Sequence, residues 1–356
     1  MKKTALIMAG GRGERFWPKS RKSLPKQFLS LTDDGRTMIQ LTVERIRPLV
    51  EIEDIYISTN RDYKELVLEQ LPDILPQNIL CEPVGRNTAP CIGLGAMHIA
   101  KKYEDALMMV LPSDHLIKYQ KMYLHALKEG FRIAEKGRNL VTIGIMPDYP
   151  ETGYGYIRFR PEETDGGAYA VEGFVEKPDI QTAREYLQTE EYLWNSGMFI
   201  WKVSSILQNI KELLPDMYGG LSTIGEEIGT EKQEMTLEKV FPQLESVSID
   251  YGIMEKAKDI FIIPGVFGWD DVGSWLAVER IQKSNESGNV VKGNIITIHS
   301  KNNIIQGGQK LIAAVGLENL VIVDTDDATL ICDKDSTADI KMVLENLKIC
   351  NREEYL

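Results

Sequence analysis

The residues best suited to chemistry lie near the start of the chain, in a glycine-rich loop that follows a short apolar run at 5–8. The loop begins Ala9-Gly10-Gly11-Arg12-Gly13. Glycine lets the backbone approach a ligand closely, and backbone N–H groups that leave a buried strand can gather around phosphate oxygens. The cations that follow are Arg12, Arg15, Lys19, Arg21, Lys22 and, behind Pro25, Lys26. This combination indicates a site for a polyphosphate.

Two familiar phosphate loops do not match this segment. The Walker pattern is absent, because no Gly-Lys-Ser/Thr follows four residues after a glycine. The dinucleotide fingerprint fails where its third glycine should stand, since Phe16 follows Gly11-Arg12-Gly13-Glu14-Arg15. The glycines alone are more typical of a plain strand-to-loop turn with solvated arginines than of a phosphate site.

Carboxylates that could hold a metal occur in two later segments. Asp114 directly follows an apolar run, and Asp270-Asp271 stand in a loop framed by Gly268 and Gly273. Phosphoryl transfer depends on positioning and charge stabilisation more than on covalent chemistry, and Mg²⁺ prefers oxygen ligands. Each aspartate is also typical of a helix cap or a turn. The pattern therefore indicates a metal site and leaves the choice between Asp270 and Asp271 open.

The elements that must position these residues alternate between apolar β-rich runs and helical patterns. The predicted strands are 5–8, 54–58, 78–81, 106–111 and 140–145, and the predicted helices are 38–47, 62–71, 89–102 and 122–136. This alternation predicts an α/β fold with a mostly parallel, doubly wound, Rossmann-like sheet and helices on both faces. Ligands bind beyond the carboxyl ends of such strands, so one shared site is expected there.

The second half of the chain has shorter predicted strands. Those at 154–160, 170–176 and 198–203 predict an insertion over about 150–265, and the polar stretch 283–289 predicts a linker. Later strands at nearly even spacing predict a small β-solenoid: 293–298, 302–305, 311–315, 319–323 and 328–331, closed by a helix at 338–348. We therefore expect a catalytic domain at 1–284 and a C-terminal domain at 285–356.

Composition limits the possible partners and compartment. A net charge of −12 over 356 residues argues against nucleic acid as a partner. The four cysteines show no Cys-x-x-Cys spacing, so zinc and redox motifs are not expected. No apolar stretch approaches the ~20 residues needed to span a bilayer, and the first apolar run is too short for a signal peptide. We expect a cytoplasmic protein with no membrane partner.

Taken together, these motifs resemble those of the sugar nucleotidyltransferases. The string Ala9-Gly10-Gly11-x-Gly13-x-Arg15 carries the resemblance, together with Pro18 and Pro25-Lys26. Phe16-Trp17-Pro18 and Pro25-Lys26-Gln27-Phe28 are similar to the mannose-1-phosphate guanylyltransferase branch, and the match recurs down most of the chain. The resemblance implies transfer of GMP from GTP to α-D-mannose 1-phosphate with release of pyrophosphate. It also implies Mg²⁺, a left-handed β-helix as the C-terminal domain, and a homodimer.

The same resemblance implies roles for individual residues. Relatives carry an aspartate at the position of Asp114, and their spacing selects Asp271 as the second metal ligand, with Asp270 as the alternative. Arg15 and Lys26 are the expected catalytic cations, because Arg offers a planar fork and Lys a mobile point charge to the phosphates. The expected nucleotide-binding residues are Ala9, Gly10, Gly11, Gly13, Glu82, Pro83, Asn87, Thr88 and Ser113. The expected sugar-phosphate-binding residues are Gly155, Glu176, Lys177, Asn195 and Asp250.

Several of these residues also have simpler interpretations. Glu82 could accept hydrogen bonds from guanine N1–H and its amine, or be an exposed loop residue. Asn87 and Thr88 could contact base or ribose, although Thr88 is also a good helix cap. Glu176-Lys177-Pro178 taken alone is typical of a surface loop.

Other functions are weighed against the leading one. Another sugar-1-phosphate nucleotidyltransferase would share these motifs. Asp324-Thr325-Asp326 matches the Asp-x-Asp of glycosyltransferases, but a turn between strands explains it better. A non-catalytic sugar-nucleotide sensor would lack a charged phosphate or metal residue. Some relatives continue into a metal-binding isomerase domain, and the four scattered histidines do not predict that activity.

Overall fold

A computed structural model describes residues 1–356, except for the side chain of Glu163. The strands are β1 (Lys2–Met8), β2 (Ile55–Asn60), β3 (Ile79–Glu82), β4 (Ala106–Pro112), β5 (Leu116–Ile117), β6 (Leu140–Ile145), β7 (Gly155–Asp165), β8 (Ala168–Glu176), β9 (Tyr192–Lys202), β10 (Ile260–Gly265), β11 (Trp269–Asp270), β12 (Val290–Lys292), β13 (Ile295–Ile298), β14 (Ile304–Gln306), β15 (Ile312–Val315), β16 (Leu320–Asp324) and β17 (Thr329–Asp333). The helices are α1 (Met38–Ile46), α2 (Lys64–Gln70), α3 (Thr88–Lys102), α4 (Gln120–Ala134), α5 (Ile180–Leu187), α6 (Val203–Leu213), α7 (Pro215–Glu227), α8 (Gln233–Val240), α9 (Ala277–Ile281) and α10 (Ile340–Ile349). Among the described residues, every helix is too short or too polar to cross a membrane.

The chain forms two compact units that each combine separate segments. The first unit contains Met1–Gly10, Val43–Ser113 and Ile117–Trp269, and the second contains Gly11–Thr42, Asp114–Leu116 and Asp270–Leu356. The glycine-rich loop is therefore divided between Gly10 and Gly11. The predicted domain boundary near residue 284 stays a prediction.

The first unit is built on a sheet of nine strands in the order β3-β2-β1-β4-β9-β6-β10-β8-β7. Strands β1 to β4 pair in parallel, as predicted, and β6 pairs in parallel with β10. The whole sheet is mixed, however, because β9 lies antiparallel between β4 and β6. The strand predicted at 198–203 as part of an insertion thus lies in the middle of the main sheet. Sequence order alone cannot show this, since β9 joins strands that precede it by many residues.

Helices cover both faces of this sheet, as predicted. Successive residues of a strand point to opposite faces, and β9 shows the consequence. Phe199 and Trp201 belong to the apolar cluster that includes residues of α3, α6 and α7. Ile200, between them in the sequence, packs closely against Gly130 of α4. A Cβ added at Gly130 would lie 2.3 Å from the Ile200 side chain. The burial of both faces explains why strands such as β4 and β6 are apolar without alternation.

The C-terminal part of the second unit is a β-helix-like stack of short parallel strands. β12, β14 and β16 pair in parallel, β13 pairs in parallel with β15, and β17 closes the stack by pairing antiparallel with β16. Inward side chains such as Ile304, Val321 and Val323 are buried. The prediction of stacked short strands followed by a helix is confirmed.

The glycine-rich loop shares its core with this β-helix-like part. Phe16 and Trp17 belong to one buried cluster with Trp275, Ile304 and other residues of the second unit. The indole Nε1 of Trp17 donates to the backbone oxygen of Tyr355 at 2.7 Å, and that of Trp275 donates to the backbone oxygen of Trp17 at 3.0 Å. The loop after Gly10 is therefore held by the second unit.

Candidate active site

Lys26 is the centre of the charged group in the second unit. Its ammonium lies 2.7 Å from Asp114 Oδ2 and donates to the backbone oxygen of Asp271, also at 2.7 Å. The Lys26 side chain is only 6% exposed, and its Nζ lies 5.8 Å from the centre of the Phe16 ring. Burial alone would raise the pKa of Asp114, but attraction to Lys26 and His115 holds it below its usual value of 3.8. Lys26 thus contacts two residues that lie far from it in the sequence: the carboxylate of Asp114 and the backbone of Asp271.

The two neighbouring aspartates at 270 and 271 have different environments. Asp270 is buried, accepts from Val272 N at 2.8 Å and accepts from Arg280 Nη2 at 3.0 Å. Asp271 is half-buried, and its Oδ1 accepts from Gly273 N at 3.1 Å. Val272 between these bonds has φ of +49°, which is unusual for a β-branched residue. The turn gives Asp270 an ion pair with Arg280 and keeps Asp271 beside Lys26.

The three glycines of the loop are not equivalent. Gly13 has φ of +61°, and a Cβ there would lie 2.2 Å from the Cβ of Lys26 and 2.9 Å from its backbone nitrogen. A Cβ on Gly10 or Gly11 would meet nothing within 4 Å. The fold itself therefore requires glycine at 13, whereas packing gives no reason for the other two.

The remaining cations of the loop divide into exposed and paired groups. Arg15 is exposed, and it forms no ion pair or side-chain hydrogen bond with the other described residues. Arg21 Nη2 lies 2.8 Å from Asp327, and Lys22 lies 3.0 Å from Glu353. Lys19 donates to Gln306 at 3.3 Å, and burial together with Lys292 lowers its pKa to about 8. Arg21, Lys22 and Lys19 thus contact the C-terminal part of the second unit.

In the first unit, Ser58 links Ala9 to Glu82. Ala9 N donates to the backbone oxygen of Ser58 at 2.7 Å, and Ser58 Oγ donates to Glu82 Oε1 at 2.8 Å. Glu82 is buried, so the interpretation as an exposed loop residue is wrong. Burial raises its pKa above the usual 4.5, opposed by hydrogen bonds from Ser58 and Cys91. No motif marks Ser58, and its only signal is its place near the end of β2.

The segment after Glu82 leads into helix α3. Pro83 is half-buried, and Asn87, with φ of +67°, caps the helix by accepting from Thr88 N at 2.9 Å. The predicted cap, Thr88, instead accepts from Ile249 N at 2.8 Å through Oγ1. The expectation that Thr88 is the cap is therefore wrong, because the left-handed backbone of Asn87 brings its own side chain to that position. On the neighbouring strand end, Ser113 N donates to the backbone oxygen of Met8 at 3.2 Å.

The residues predicted to bind the sugar phosphate gather in the first unit. Asn195 Nδ2 donates to Asp250 Oδ1 at 2.7 Å, and Glu176 Oε1 lies 2.9 Å from Lys177 Nζ. A Cβ on Gly155 would lie 2.4 Å from Glu176 Oε2 and 3.5 Å from Asn195 Cβ. Burial and the nearby charge of Glu176 raise the pKa of Asp250. Strands β7, β8 and β9 position this group, because they carry Gly155, Glu176 and Asn195.

An aromatic cluster borders this group and was not singled out from the sequence. The Trp194 ring lies 4.9 Å from Tyr149 and 5.3 Å from Tyr154, and Tyr154 lies 5.4 Å from Trp269. Trp194 precedes Asn195 in β9, so the cluster packs against the strand that carries the amide. The signal available in the sequence was limited to Trp194, which directly precedes Asn195.

The Asp-x-Asp at 324–326 lies in the turn between β16 and β17. Asp324 accepts from Thr329 Oγ1 at 2.7 Å, and Thr325 Oγ1 donates to the backbone oxygen of Ala328 at 2.8 Å. The interpretation of this motif as a turn between strands is confirmed.

A sheet of this topology, a glycine-rich loop and a lysine between two aspartates define a nucleotidyl transferase with an added β-helix domain. The family described as nucleotidyl transferase matches residues 4–288. The family described as mannoseP isomerase/GMP-like beta-helix domain matches residues 293–347.

Similar proteins extend the match to nearly the whole chain. A mannose-1-phosphate guanylyltransferase from Salmonella muenchen is 44% identical over 355 residues, which are 98% of this chain and 74% of the relative. A mannose-1-phosphate guanylyltransferase from Salmonella montevideo is 39% identical over 361 residues, which are 99% of this chain and 75% of that relative. A solved structure described as a mannose-1-phosphate geranyltransferase from Thermus thermophilus has a TM-score of 0.88 at 35% identity and covers 98% of this chain and 100% of that chain. The chain belongs to the mannose-1-phosphate guanylyltransferase family and is an enzyme of this kind.

Proposed function

We propose that this enzyme transfers GMP from GTP to α-D-mannose 1-phosphate and releases pyrophosphate. The observation that carries the proposal is the identity of 39–44% to two curated guanylyltransferases over nearly the whole chain. A phosphate oxygen of the sugar phosphate attacks the α-phosphorus of GTP as the bond to the pyrophosphate oxygen breaks. No covalent enzyme intermediate is needed, so the protein acts by positioning and by stabilising charge.

Lys26 and Arg15 are proposed to neutralise the triphosphate. Lys26 supplies a buried point charge, and exposed Arg15 supplies a planar fork that can bind two phosphate oxygens. Gly10 and Gly11 leave open space beside their Cα atoms, which supports close approach of phosphate to backbone N–H groups. Gly13 maintains the backbone contact with Lys26.

Asp114 and Asp271 are proposed to hold a divalent ion, with Mg²⁺ as the physiological one. The residue types fit Mg²⁺, which commonly uses one or two carboxylates with water and phosphate oxygens. Lys26 contacts both residues, Asp114 through its carboxylate and Asp271 through its backbone oxygen. Over the described residues, no cluster of three or more His, Cys, Asp or Glu forms a metal site, which fits a site completed by substrate. When bound, the ion withdraws charge from the reacting phosphate.

The first-unit residues are proposed to recognise the two substrates. Glu82, Pro83, Asn87, Thr88, Ala9 and Ser113 are assigned to the nucleotide, with the Glu82 carboxylate accepting from guanine. Glu176 and Asn195 are assigned to sugar hydroxyls and Lys177 to the sugar phosphate. Asp250 is proposed to orient the Asn195 amide, because its carboxylate accepts a hydrogen bond from that amide at 2.7 Å.

The decisive experiment measures pyrophosphate release from a panel of nucleoside triphosphates and hexose 1-phosphates. We expect turnover with GTP and mannose 1-phosphate and little with ATP. Turnover with another nucleotide but none with GTP would contradict the assignment as a guanylyltransferase, although the protein would still be a sugar nucleotidyltransferase. Sugar transfer to an acceptor without pyrophosphorolysis would favour a glycosyltransferase, and GTP binding without any turnover would favour a sensor.

Three further properties are part of the proposal. The domain boundary is placed at 284/285, the enzyme is placed in the cytoplasm, and it is expected to form a homodimer. Light scattering of the purified chain tests the last point, since a monomeric mass at assay concentration would contradict it.

A further inference from the structure

A cavity of about 730 Å³ lies beside β3, the strand at one edge of the main sheet. Its walls include residues 75–81, which form most of β3 and the turn before it, residues between 228 and 237 around the start of α8, and one face of α3. All of the lining residues belong to the first unit, and none of them is assigned to the substrates. A volume of this size is typical of sites for small organic molecules.

Two polar side chains of the cavity wall lack a hydrogen-bond partner among the described residues. Tyr56 is only 3% exposed, and His98 is half-buried. Neither side chain hydrogen-bonds to another described residue, yet their polar atoms are not closed off from solvent. Because both residues line the cavity, these atoms face it. Buried polar groups are almost always satisfied, which points to a partner that comes from outside the chain.

Both groups are uncharged hydrogen-bond donors at neutral pH. Burial raises the pKa of Tyr56 above its usual 10.0, so its hydroxyl keeps its proton. Burial lowers the pKa of His98 to about 4, so its imidazole carries one N–H and no charge. A hydroxyl and an N–H suit a ligand that presents oxygen acceptors.

The face of α3 that lines the cavity changes from apolar to charged along the helix. Leu94, His98 and Lys101 are spaced i, i+4 and i+7, so they share this face. Leu94 is fully buried in the core of the first unit, whereas Lys101 is exposed. A ligand along this face meets an apolar surface at its inner end and a positive charge at its outer end.

The unpaired charges of the cavity are positive. Its lining contains one carboxylate, Glu234, which already pairs with Arg61, and Lys102 pairs with a carboxylate outside the lining. Lys64 and Lys101 form no ion pair with the described residues. Two unpaired lysines in one cavity favour an anion.

We propose that this cavity binds a small organic anion, a carboxylate or a phosphate ester with an apolar body. Lys101 attracts the charged group, and His98 and Tyr56 donate hydrogen bonds to its oxygens. Leu80 and Leu94 pack against the apolar body, since both are buried in the cavity wall. The inference does not depend on the proposed reaction, because it concerns other side chains and a different ligand.

The site is located by soaking crystals of the full chain in 4-bromophenyl phosphate and recording anomalous diffraction. The expected result is a bromine peak beside Leu94, with a phosphate oxygen within hydrogen-bond distance of His98. In solution, calorimetric titration of the full chain with phenyl phosphate and with benzoate should show saturable binding of at least one of them. The tighter of the two identifies the charged group as phosphate or carboxylate. Benzyl alcohol, which is uncharged, should bind at least about tenfold more weakly.

Variants show whether the titrated ligand occupies this cavity. Lys101→Gln and His98→Phe should each weaken binding at least about tenfold. Lys128→Gln removes an exposed lysine of α4 outside the cavity, so it is the matched control and should bind like the wild type. Binding that Lys177→Gln weakens and Lys101→Gln leaves unchanged would place the ligand at the proposed sugar-phosphate site and contradict the proposal.

Tyr56→Phe separates loss of the ligand from loss of the fold. It removes only a hydroxyl without a protein partner, so it should weaken binding without lowering the Tm of the ligand-free protein. The proposal is overturned if Lys101→Gln and His98→Phe keep the wild-type affinity, if benzyl alcohol binds as tightly as the anions, or if the soaked crystals show only water at Tyr56 and His98. It is also overturned if the bromine peak has no saturable counterpart in solution, which indicates binding at crystal concentration only.

Discussion

At the scale of single residues, Ser58 positions two groups that the proposed function needs. It is fully buried, holds Ala9 through its backbone oxygen and holds Glu82 through its hydroxyl. The Ser58 hydrogen bond stabilises the charged form of Glu82, whereas burial disfavours it. Burial therefore raises the pKa of Glu82, and Ser58, which itself carries no charge, limits that rise.

This balance predicts a pH dependence of GTP binding. A carboxyl whose pKa is raised above 4.5 becomes protonated as pH falls through that raised value, and a protonated Glu82 is a poorer acceptor for guanine. The KM for GTP should rise as pH falls through that window, with the KM for mannose 1-phosphate less affected. Ser58→Ala should move the transition to higher pH, because it removes a bond that lowers the pKa.

Glu82→Gln is the control for this pH dependence. Its KM for GTP should be raised and should not vary through the same window. A Glu82→Gln enzyme that keeps the wild-type pH profile would show that another group titrates. The profile is measured by initial rates of pyrophosphate release at several pH values.

The adjacent aspartates predict a pair of opposite phenotypes. Asp271→Asn should lower kcat about 100-fold, near 2.7 kcal/mol, because a metal ligand is lost, with little change in Tm. Asp270→Asn should instead lower stability by about 1 kcal/mol, since its partner Arg280 is partly exposed and the ion pair is screened. Urea unfolding and Mg²⁺-dependent rates measure both. An inactive but equally stable Asp270→Asn would reverse the assignment.

At the scale of elements, the glycine-rich loop contains glycines of two kinds. Gly13→Ala should destabilise the protein by about 1–3 kcal/mol, because a Cβ would collide with Lys26 and the backbone is left-handed. Gly11→Ala should stay within about 0.5 kcal/mol of wild type and raise the KM for GTP. Thermal unfolding and steady-state kinetics on the two variants provide the test. Equal loss of stability in both would remove the case for a ligand beside Gly11.

The hairpin of β7 and β8 offers a second matched pair. Gly155→Ala would push the Glu176 carboxylate, which lies 2.4 Å from the new Cβ, while a Cβ on Gly173 of β8 meets nothing within 4 Å. Gly155→Ala should raise the KM for mannose 1-phosphate about 10- to 100-fold through a disturbed charged hydrogen bond, and Gly173→Ala should not. An unchanged KM in Gly155→Ala would argue against Glu176 as a sugar ligand.

At the scale of the whole molecule, the β-helix-like part supports the glycine-rich loop through a shared core. Phe16 and Trp17 share a core with Ile304 and Val321. A chain cut after residue 288 keeps the segment that matches nucleotidyl transferases but exposes this core. We expect it to be inactive and to lose the cooperative unfolding of the second unit, as judged by calorimetry.

A point variant keeps this prediction testable if the short chain does not fold. Trp17→Phe retains the ring and loses the 2.7 Å hydrogen bond to Tyr355, so stability should fall by about 1 kcal/mol and kcat should fall with it. Wild-type kcat in the shortened chain would show that the loop needs no such support.

Local patterns were sufficient for much of the fold. The helices at α3 and α4 and the strands at β4 and β6 follow from periodicity and apolar runs, and their predicted bounds differ from the observed ones by at most two residues. The position of β9 did not follow, because its pairing with β4 and β6 depends on contacts remote in sequence. The sequence predicted Thr88 as the N-cap of α3, whereas the observed N-cap is Asn87. Residue propensities do not reveal the positive φ of Asn87.

The sequence by itself determined the class of enzyme through its resemblance to a known family, and it determined the types of residue in the candidate site, because glycine, lysine and aspartate carry specific chemistry. Only the tertiary structure joined Lys26 to Asp114 and Asp271, paired Asp270 with Arg280 and placed Ser58 behind Glu82. It also placed the loop after Gly10 in a core with the β-helix-like strands. The physical reason is that burial and hydrogen-bond partners arise from segments distant along the chain, whereas spacing reports only on neighbours.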